Sequence, residues 1–357
     1  MPDPYFSATK LEWILERCER PPAELAFGTV DSWLAWKLTE GGEHVSDVTN
    51  AARTMLLDVE ALRWDEDLLQ LFGVEPVLLP RIVASSGVVG EAELFGRRLP
   101  LAAMVGDQQA SLFGHGCFAA GDAKATYGTG SFVLVNVGDE FEAPPHGLLA
   151  TPAAIAPGTP PQYALEGAVL VAGAAIQWLR DGLEVIVDAG ESETLAAQVD
   201  STEGVVFVPA LTGLGSPHWD PEARGLVFGL TRGSTRAHLV RATLEAIAFQ
   251  VADVLDVYPG PLATVRADGG ATGNALLMQF QADVLGVPVE VAANAETTAL
   301  GAAALAGLAV GTWSDLAALA GHIRVGARYE PSMSEDEVAT RKIVWHEAVR
   351  RALIDPK

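Results

Sequence analysis

The sequence predicts an α/β fold in two domains, on three observations. Helix-like and strand-like segments alternate along most of its 357 residues. One segment, Ala237 to Val257, is a clear amphipathic helix, with Val240, Leu244, Ile247, Val251 and Leu255 on one side, and the short strand Val265 to Asp268 follows it. The pattern changes character after Gly114: Lys124 to Gly138 alternates apolar residues around Gly128-Thr129-Gly130, as a β-hairpin does. A domain boundary is therefore expected near 114–122, giving portions 1–114 and 115–311, with a helical tail of mixed charge over 312–357.

The elements follow in order. Tyr5 to Glu19 predicts a helix with Leu11, Ile14, Leu15 and Cys18 on one side. Val30 to Leu38 predicts a second, capped by Thr29 and ended by Gly41-Gly42. Residues 58–80 are expected as short helical pieces ending at Pro80. Ile82 to Gly90 and Leu99 to Val105 are strand-like, joined by a basic turn, Leu94 to Arg98. Tyr163 to Leu165 and Val205 to Pro209 are strands by composition, and Val171 to Leu183 is a helix. Gly213 to Gly225 is a loop rich in Gly and Pro. Asp268-Gly269-Gly270 turns the chain into a helix from Asn274 to Leu285. The small-residue run Ala299 to Val310 predicts a buried helix packed closely on a neighbour. It is too short to span a bilayer, which takes about 20 residues.

Composition excludes several function classes. Hydrophobic residues make up 49% and charged residues 19%, as in a globular protein. A formal net charge of -23 argues against nucleic-acid or anionic-membrane partners, which need clustered Lys and Arg. It leaves room for ATP, whose charge is handled locally by Mg2+ and backbone N–H groups. Cys18 and Cys117 are too few for a disulfide scaffold and lack zinc-type spacing, so a reducing cytoplasm is the simplest compartment. The N-terminus shows no secretory signal.

Two neighbouring motifs carry chemistry. Gly106-Asp107-Gln108-Gln109 places an acid at the end of an apolar strand, where ligands of α/β sheets bind. Thr126-Tyr127-Gly128-Thr129-Gly130-Ser131-Phe132 supplies a Thr/Gly turn able to wrap phosphate oxygens with backbone N–H groups. Together they point to phosphoryl transfer to an alcohol. Asp107 would orient the hydroxyl and accept its proton, since such transfer depends mostly on positioning and electrostatics. The bland alternative is a turn aspartate bonded to nearby amides. Gly270 in the Asp268-Gly269-Gly270 turn suits close approach of backbone to a ligand, or an ordinary strand-to-helix turn. Gly173 and Gln177 stand one helical turn apart and face the same way. Tyr5 and Phe132, taken alone, are packing residues. His115, His218 and His238 form no metal-binding spacing, and none is taken as catalytic.

The motifs taken together resemble the FGGY carbohydrate kinase family, and within it the glycerol kinases. The resemblance rests on Tyr5 to Trp13, Phe27 to Leu34, Thr49 to Leu56, Gly106 to Gln109 and Thr126 to Gly130. It continues through Tyr163 to Gly167, Ile176 to Asp181, Gly225 to Glu245, Asp268 to Gly270 and Glu296 to Gly301. It implies an actin-like, ribonuclease-H-like pair of α/β domains closing on ATP and substrate. The reaction implied is ATP-dependent phosphorylation of glycerol to glycerol 3-phosphate, with Asp107 as general base. Tyr5, Gln108 and Phe132 are implied as substrate contacts, Phe132 lying against the carbon backbone. Thr129, Gly173, Gln177, Gly270 and Asn274 are implied on the nucleotide side. Mg2+ would bridge the phosphates, with Asp107 as a partner through water. Glycerol is the implied small-molecule partner, and a homo-oligomer is compatible with the family.

Members of that family begin with a strand-turn-strand segment holding an Asp-x-Gly-Thr-Thr-Ser-type phosphate loop, followed by an Arg-Glu pair and a Trp that contact the polyol. This sequence holds none of these. The expectation is an N-terminally truncated chain whose residues 1–114 are the back half of the first domain, leaving strand edges and apolar surface exposed. Protein metal ligands are left unassigned. Three readings stay open: a glycerol phosphotransferase, a catalytically impaired remnant that binds nucleotide or polyol, and a kinase for another polyol or sugar.

Overall fold

The computed structural model describes residues 5–353. Its organising element is a seven-stranded mixed sheet. In spatial order its strands are Val325–Tyr329, Val289–Ala292, Val265–Asp268, Ala123–Tyr127, Ser131–Gly138, Tyr163–Val169 and Leu149–Pro152. Ala123–Tyr127 runs parallel to Val265–Asp268 and antiparallel to Ser131–Gly138, the second strand of the expected hairpin.

Side chains alternate across a pleated strand, so the register assigns each residue to a face. One face carries Ala123, Ala125, Tyr127, Val133, Val135, Leu165, Val169, Val265, Ala267 and Val289, all buried in one cluster. Against it lies the long helix Arg236–Asp256, whose Val240, Leu244, Ile247, Val251 and Leu255 are buried. Thr235 and His238 cap this helix reciprocally, which gives His238 a structural role. The opposite face is polar. Lys124 aligns with Arg266 and Leu134, Thr126 with Asp268 and Phe132, and Leu134 with Glu166. Lining up these residues leaves a row of charges that must be paired from above.

Two helices supply that cover, Asp107–Gly114 and Thr297–Ala309. The second contains the small-residue run, and the expected close packing is present. A Cβ built on Gly301 would lie 1.8 Å from the Ala110 carbonyl oxygen, and one on Gly114 would lie 2.1 Å from that of Thr297. The helices cross at a point where only glycine fits.

The portion before Gly114 is more loosely built. Among the described residues it holds only two-stranded sheets: Val45–Asp47 with Arg81–Val83, Leu57–Asp58 with Arg63–Trp64, and Ser86–Leu94 with Arg97–Ala103. Trp13, Val30, Trp33 and Leu34 are exposed. The helix Val30–Leu38 has the expected bounds, although the Thr29 side chain bonds to Asp31 rather than to a helix amide. The first helix is shorter than expected, Ala8–Leu15.

Two further differences matter. The strand expected over Leu99 to Val105 is Arg97–Ala103, one arm of a two-stranded hairpin, and Asp107 opens a helix rather than ending a strand. The segment 312–357, expected to be wholly helical, contributes the edge strand Val325–Tyr329 as well as the helix Glu335–Ala352. That helix buries Trp345, which stacks on Phe249 of the long helix, so this segment is part of the second portion's core. Among the described residues no helix is long and apolar enough to cross a membrane.

The helix crossing gives a direct test. Gly301→Ala gains about 1 kcal/mol of helix propensity, but the new methyl meets backbone that cannot swing aside. A net loss of about 2 kcal/mol or more is expected in thermal or urea denaturation. Gly321→Ala, whose Cβ would make an ordinary 3.5 Å contact, should stay within about 0.5 kcal/mol. Equal stability of the two variants would contradict the packing described.

Candidate active site

Asp107 stands at the first position of its helix, where a carboxylate faces the positive end of the backbone dipoles. Its position is fixed from below. The Gly106 N–H donates to Thr49 Oγ1 (2.7 Å), and the same hydroxyl donates to Asp47 Oδ2 (2.8 Å). Asp47 is wholly buried, caps the short helix Val48–Ala51, and also accepts from the Asn50 side chain and the Ser85 hydroxyl. Burial pushes its carboxyl up to about 6, against the lowering effect of those hydrogen bonds. The carboxylate of Asp107 is exposed. Its Oδ1 takes the Gln108 N–H at 2.8 Å, and among the described residues no bond to Oδ2 is present.

Three further groups share the electrostatic environment of Asp107. Arg53 reaches Glu166 Oε2 at 2.5 Å and Thr151 Oγ1 at 3.4 Å, tying the first portion to the sheet. Burial opposes its charge, but Glu166, Tyr5 and Asp107 hold the guanidinium protonated. Tyr5 has an exposed ring, yet desolvation raises its hydroxyl; Arg53 pulls it down, and Asp107 and Glu166 push it further up. Phe132 is 39% exposed on the polar face of the sheet, opposite Thr126 and Ala168. Tyr5, Phe132 and Asp107 are thus gathered over one side of the sheet. Gln108 is present too, but its side-chain oxygen is taken by Lys124 Nζ at 2.6 Å.

The polar face continues under the helix. Asp268 Oδ2 accepts from Thr297 and from Ser111 (3.3 Å) and lies 3.3 Å from His115 Nε2. Burial would raise the Asp268 carboxyl, but His115, Thr126 and Thr297 hold it well below the usual carboxylate range. Burial lowers His115, against the raising effect of Asp268. This cluster clamps the Asp107 helix to the strand that leads into Gly269-Gly270.

On the other side of that turn is a cavity of about 490 Å³. Thr129, Gly173, Gln177, Gly270 and Asn274 all line it, with Tyr127, Ile176, Leu244 and Leu277 as apolar wall. The tip of the hairpin is fixed by backbone bonds: the carbonyl of Gly128 accepts from Gly173 N–H (2.9 Å), and that of Thr129 from Ala172 and Ala174. A Cβ on Gly173 would lie 2.5 Å from the Gly128 oxygen, and Gly269 adopts φ +95° against Tyr127, so both positions require glycine. Asn274 has a structural duty as well: its side-chain oxygen caps the helix Ala275–Leu285 through Leu277 N–H, and its amide reaches Ser192. The two regions meet on one hairpin, whose tip borders the cavity while Phe132 faces the Asp107 side.

Arg53, Glu166, Lys124 and the Asp47–Thr49 pair also belong to this site, although none was expected there from sequence. Lys124 and Glu166 had a detectable signal, each being a lone charge within an otherwise apolar strand.

Comparison with known proteins gives the ancestry. Residues 1–114 match the N-terminal domain of the FGGY family of carbohydrate kinases, and residues 123–310 match its C-terminal domain. The chain belongs to the FGGY family of carbohydrate kinases. Among curated relatives, a glycerol kinase of Aromatoleum aromaticum is 53% identical over 361 residues, covering 98% of this chain and 73% of the relative. A glycerol kinase of Thermus thermophilus is 50% identical with the same coverage. Among solved structures, Plasmodium falciparum glycerol kinase with ADP superposes with a TM-score of 0.93 at 34% identity, covering 99% of this chain and 73% of that one. The two-domain kinase fold expected from sequence is therefore correct.

The Asp47 site yields a prediction with a defined sign. A carboxyl raised on folding stabilises the native state most when protonated. That contribution declines as pH rises from about 4 to about 6. A 13C titration of Asp47 should show a midpoint near 6. In Thr49→Val, which removes one hydrogen-bond donor, the midpoint should move higher. A midpoint at or below 4, or one lowered by the substitution, would contradict the buried network.

Proposed function

We propose that the chain phosphorylates glycerol at the expense of ATP, giving glycerol 3-phosphate. The observation that carries this reading is the pairing of Asp107 with relatives called glycerol kinases, about half identical over nearly the whole chain. The arrangement around Asp107 supports the chemistry. The carboxylate's Oδ2 receives the substrate hydroxyl, holds it in line for attack and takes its proton as the new O–P bond forms. Gln108 and Tyr5 supply polar contacts, and Phe132 packs against the carbon backbone of the triol. A partly exposed apolar ring beside a polar cluster matches a small polyol, one side carbon and the other hydroxyl.

Nucleotide is assigned to the cavity of Thr129, Gly173, Gln177, Gly270 and Asn274. Its apolar wall suits a base, and Thr129 at the hairpin tip points the phosphates toward Asp107. The exposed Asp107 carboxylate also fits a hard cation held through water. When bound, Mg2+ neutralises charge on the phosphate oxygens. For compartment, our reading is the cytoplasm, supported by two cysteines that are both unpaired.

The decisive assay is glycerol-dependent formation of ADP. Asp107→Asn should lower kcat by about 10²- to 10⁴-fold while the KM for ATP changes little. Glycerol phosphorylation at full rate by that variant would overturn the role given to Asp107. Turnover that ignores glycerol but requires a different alcohol would overturn the substrate.

A further inference from the structure

We propose that Lys124 is a positioning residue that fixes the orientation of the Gln108 side-chain amide, so that Gln108 presents its NH2 group beside the Asp107 carboxylate. The use of that NH2 by a polyol rests on the function proposed above; the pairing of Lys124 with Gln108 does not.

The geometry is unusual for a lysine. Lys124 lies in the middle of an interior strand, flanked on both sides by paired strands, and its side chain is fully buried. Few lysines are buried so completely unless they are paired. Nζ donates to Gln108 Oε1 at 2.6 Å and to Thr126 Oγ1 at 2.9 Å. The facing groups are Asp268 and Arg266 from the neighbouring strand, Glu166 from the same face of the sheet, Asp107 from the covering helix and His115 just beyond it, with the Cys117 thiol nearby. Burial outweighs them and draws the ammonium down to about 8.

An ammonium has only donors, so the Gln108 atom it meets must be the carbonyl oxygen. Turning the amide over would set NH2 against a buried cation and leave Lys124 with Thr126 Oγ1 as its one hydrogen-bond acceptor among the described residues, a costly arrangement in a dry site. The backbone of Gln108 is tied as well, its N–H donating to Asp107 Oδ1. Gln108 is thus held at both ends and its free edge is a donor. On the preceding residue, Asp107 Oδ2 accepts no bond among the described residues. A donor and an acceptor side by side match adjacent hydroxyls on one molecule, one accepting from Gln108 and the other donating to Asp107. That arrangement accords with the polyol of the function proposed above.

The test combines kinetics with a readout that needs no turnover. Lys124→Met keeps the length of the side chain and removes the donor. It should raise the KM for glycerol by about tenfold, the loss of roughly one hydrogen bond, with the KM for ATP unchanged. In a Gln108→Ala background the same substitution should add less than twofold, because the group it orients is gone. An equal rise in both backgrounds, or a parallel rise in both KM values, would overturn the proposal. Independently, the 13Cε signal of Lys124 reports its titration in the intact chain. Gln108→Leu, which removes the acceptor, should lower that midpoint below about 8. An unchanged midpoint would overturn the proposal whether or not glycerol is turned over. A chain that is inactive on glycerol but shows the shifted midpoint would refute the substrate reading and leave the Lys124–Gln108 pairing standing.

Discussion

The structure depends on a sheet whose second face is charged. Lys124, Glu166 and Asp268 project from that face and are buried, and Arg266 beside them is partly buried. Charges in a dry layer must find partners, or the layer does not form. Those partners come from the first portion and from the covering helices. Arg53 answers Glu166, Gln108 answers Lys124, and Ser111, His115 and Thr297 answer Asp268. Pairing fixes the helix Asp107–Gly114 in rotation and height, because three of these partners lie on or immediately after it. Asp107 at its first turn is placed as a consequence.

The apolar face does the complementary work. Alanines and valines stack on the long helix Arg236–Asp256, and burial of this surface is the main source of cohesion in the second portion. It gives the hairpin Ala123–Gly138 a rigid base, so that the tip at Gly128–Gly130 can be held by three backbone bonds to the start of the helix Gly173–Gln177. One hairpin thereby spans two chemical regions, with a nucleotide-sized cavity at its tip and the acid-bearing helix above its polar face. Glycines at 173 and 269 exist because main chains approach each other too closely there for any side chain. Sequence, close packing and the shape of the cavity are linked at those two positions.

Much of this was legible in the sequence, for identifiable reasons. The long helix is visible because its apolar spacing, Val240 to Leu255, is regular over about four turns. The hairpin was visible because alternation resumes cleanly on both sides of a Thr/Gly turn. All five residues expected on the nucleotide side line one cavity, and Asp107, Tyr5 and Phe132 gather over one side of the sheet. What escaped notice was long-range. Val325–Tyr329 is an edge strand with scarcely any apolar pattern, formed because Val289–Ala292 offers it a ladder. Lys124 looks like a surface residue until two flanking strands bury it. No motif in the sequence marks Asp47, and the link from Thr49 to Gly106 spans 57 residues. Gln108 was expected simply to touch substrate, whereas half of its side chain serves Lys124.

The central claim is that the charged face of the sheet holds the Asp107 helix in place. Native-state hydrogen exchange on Asp268→Ala tests it most directly. The account predicts that amides of Ala110 to His115 lose protection selectively, while those of Arg236–Asp256, anchored on the apolar face, keep theirs. Unchanged protection of Ala110 to His115, or an equal loss in both helices, would contradict it.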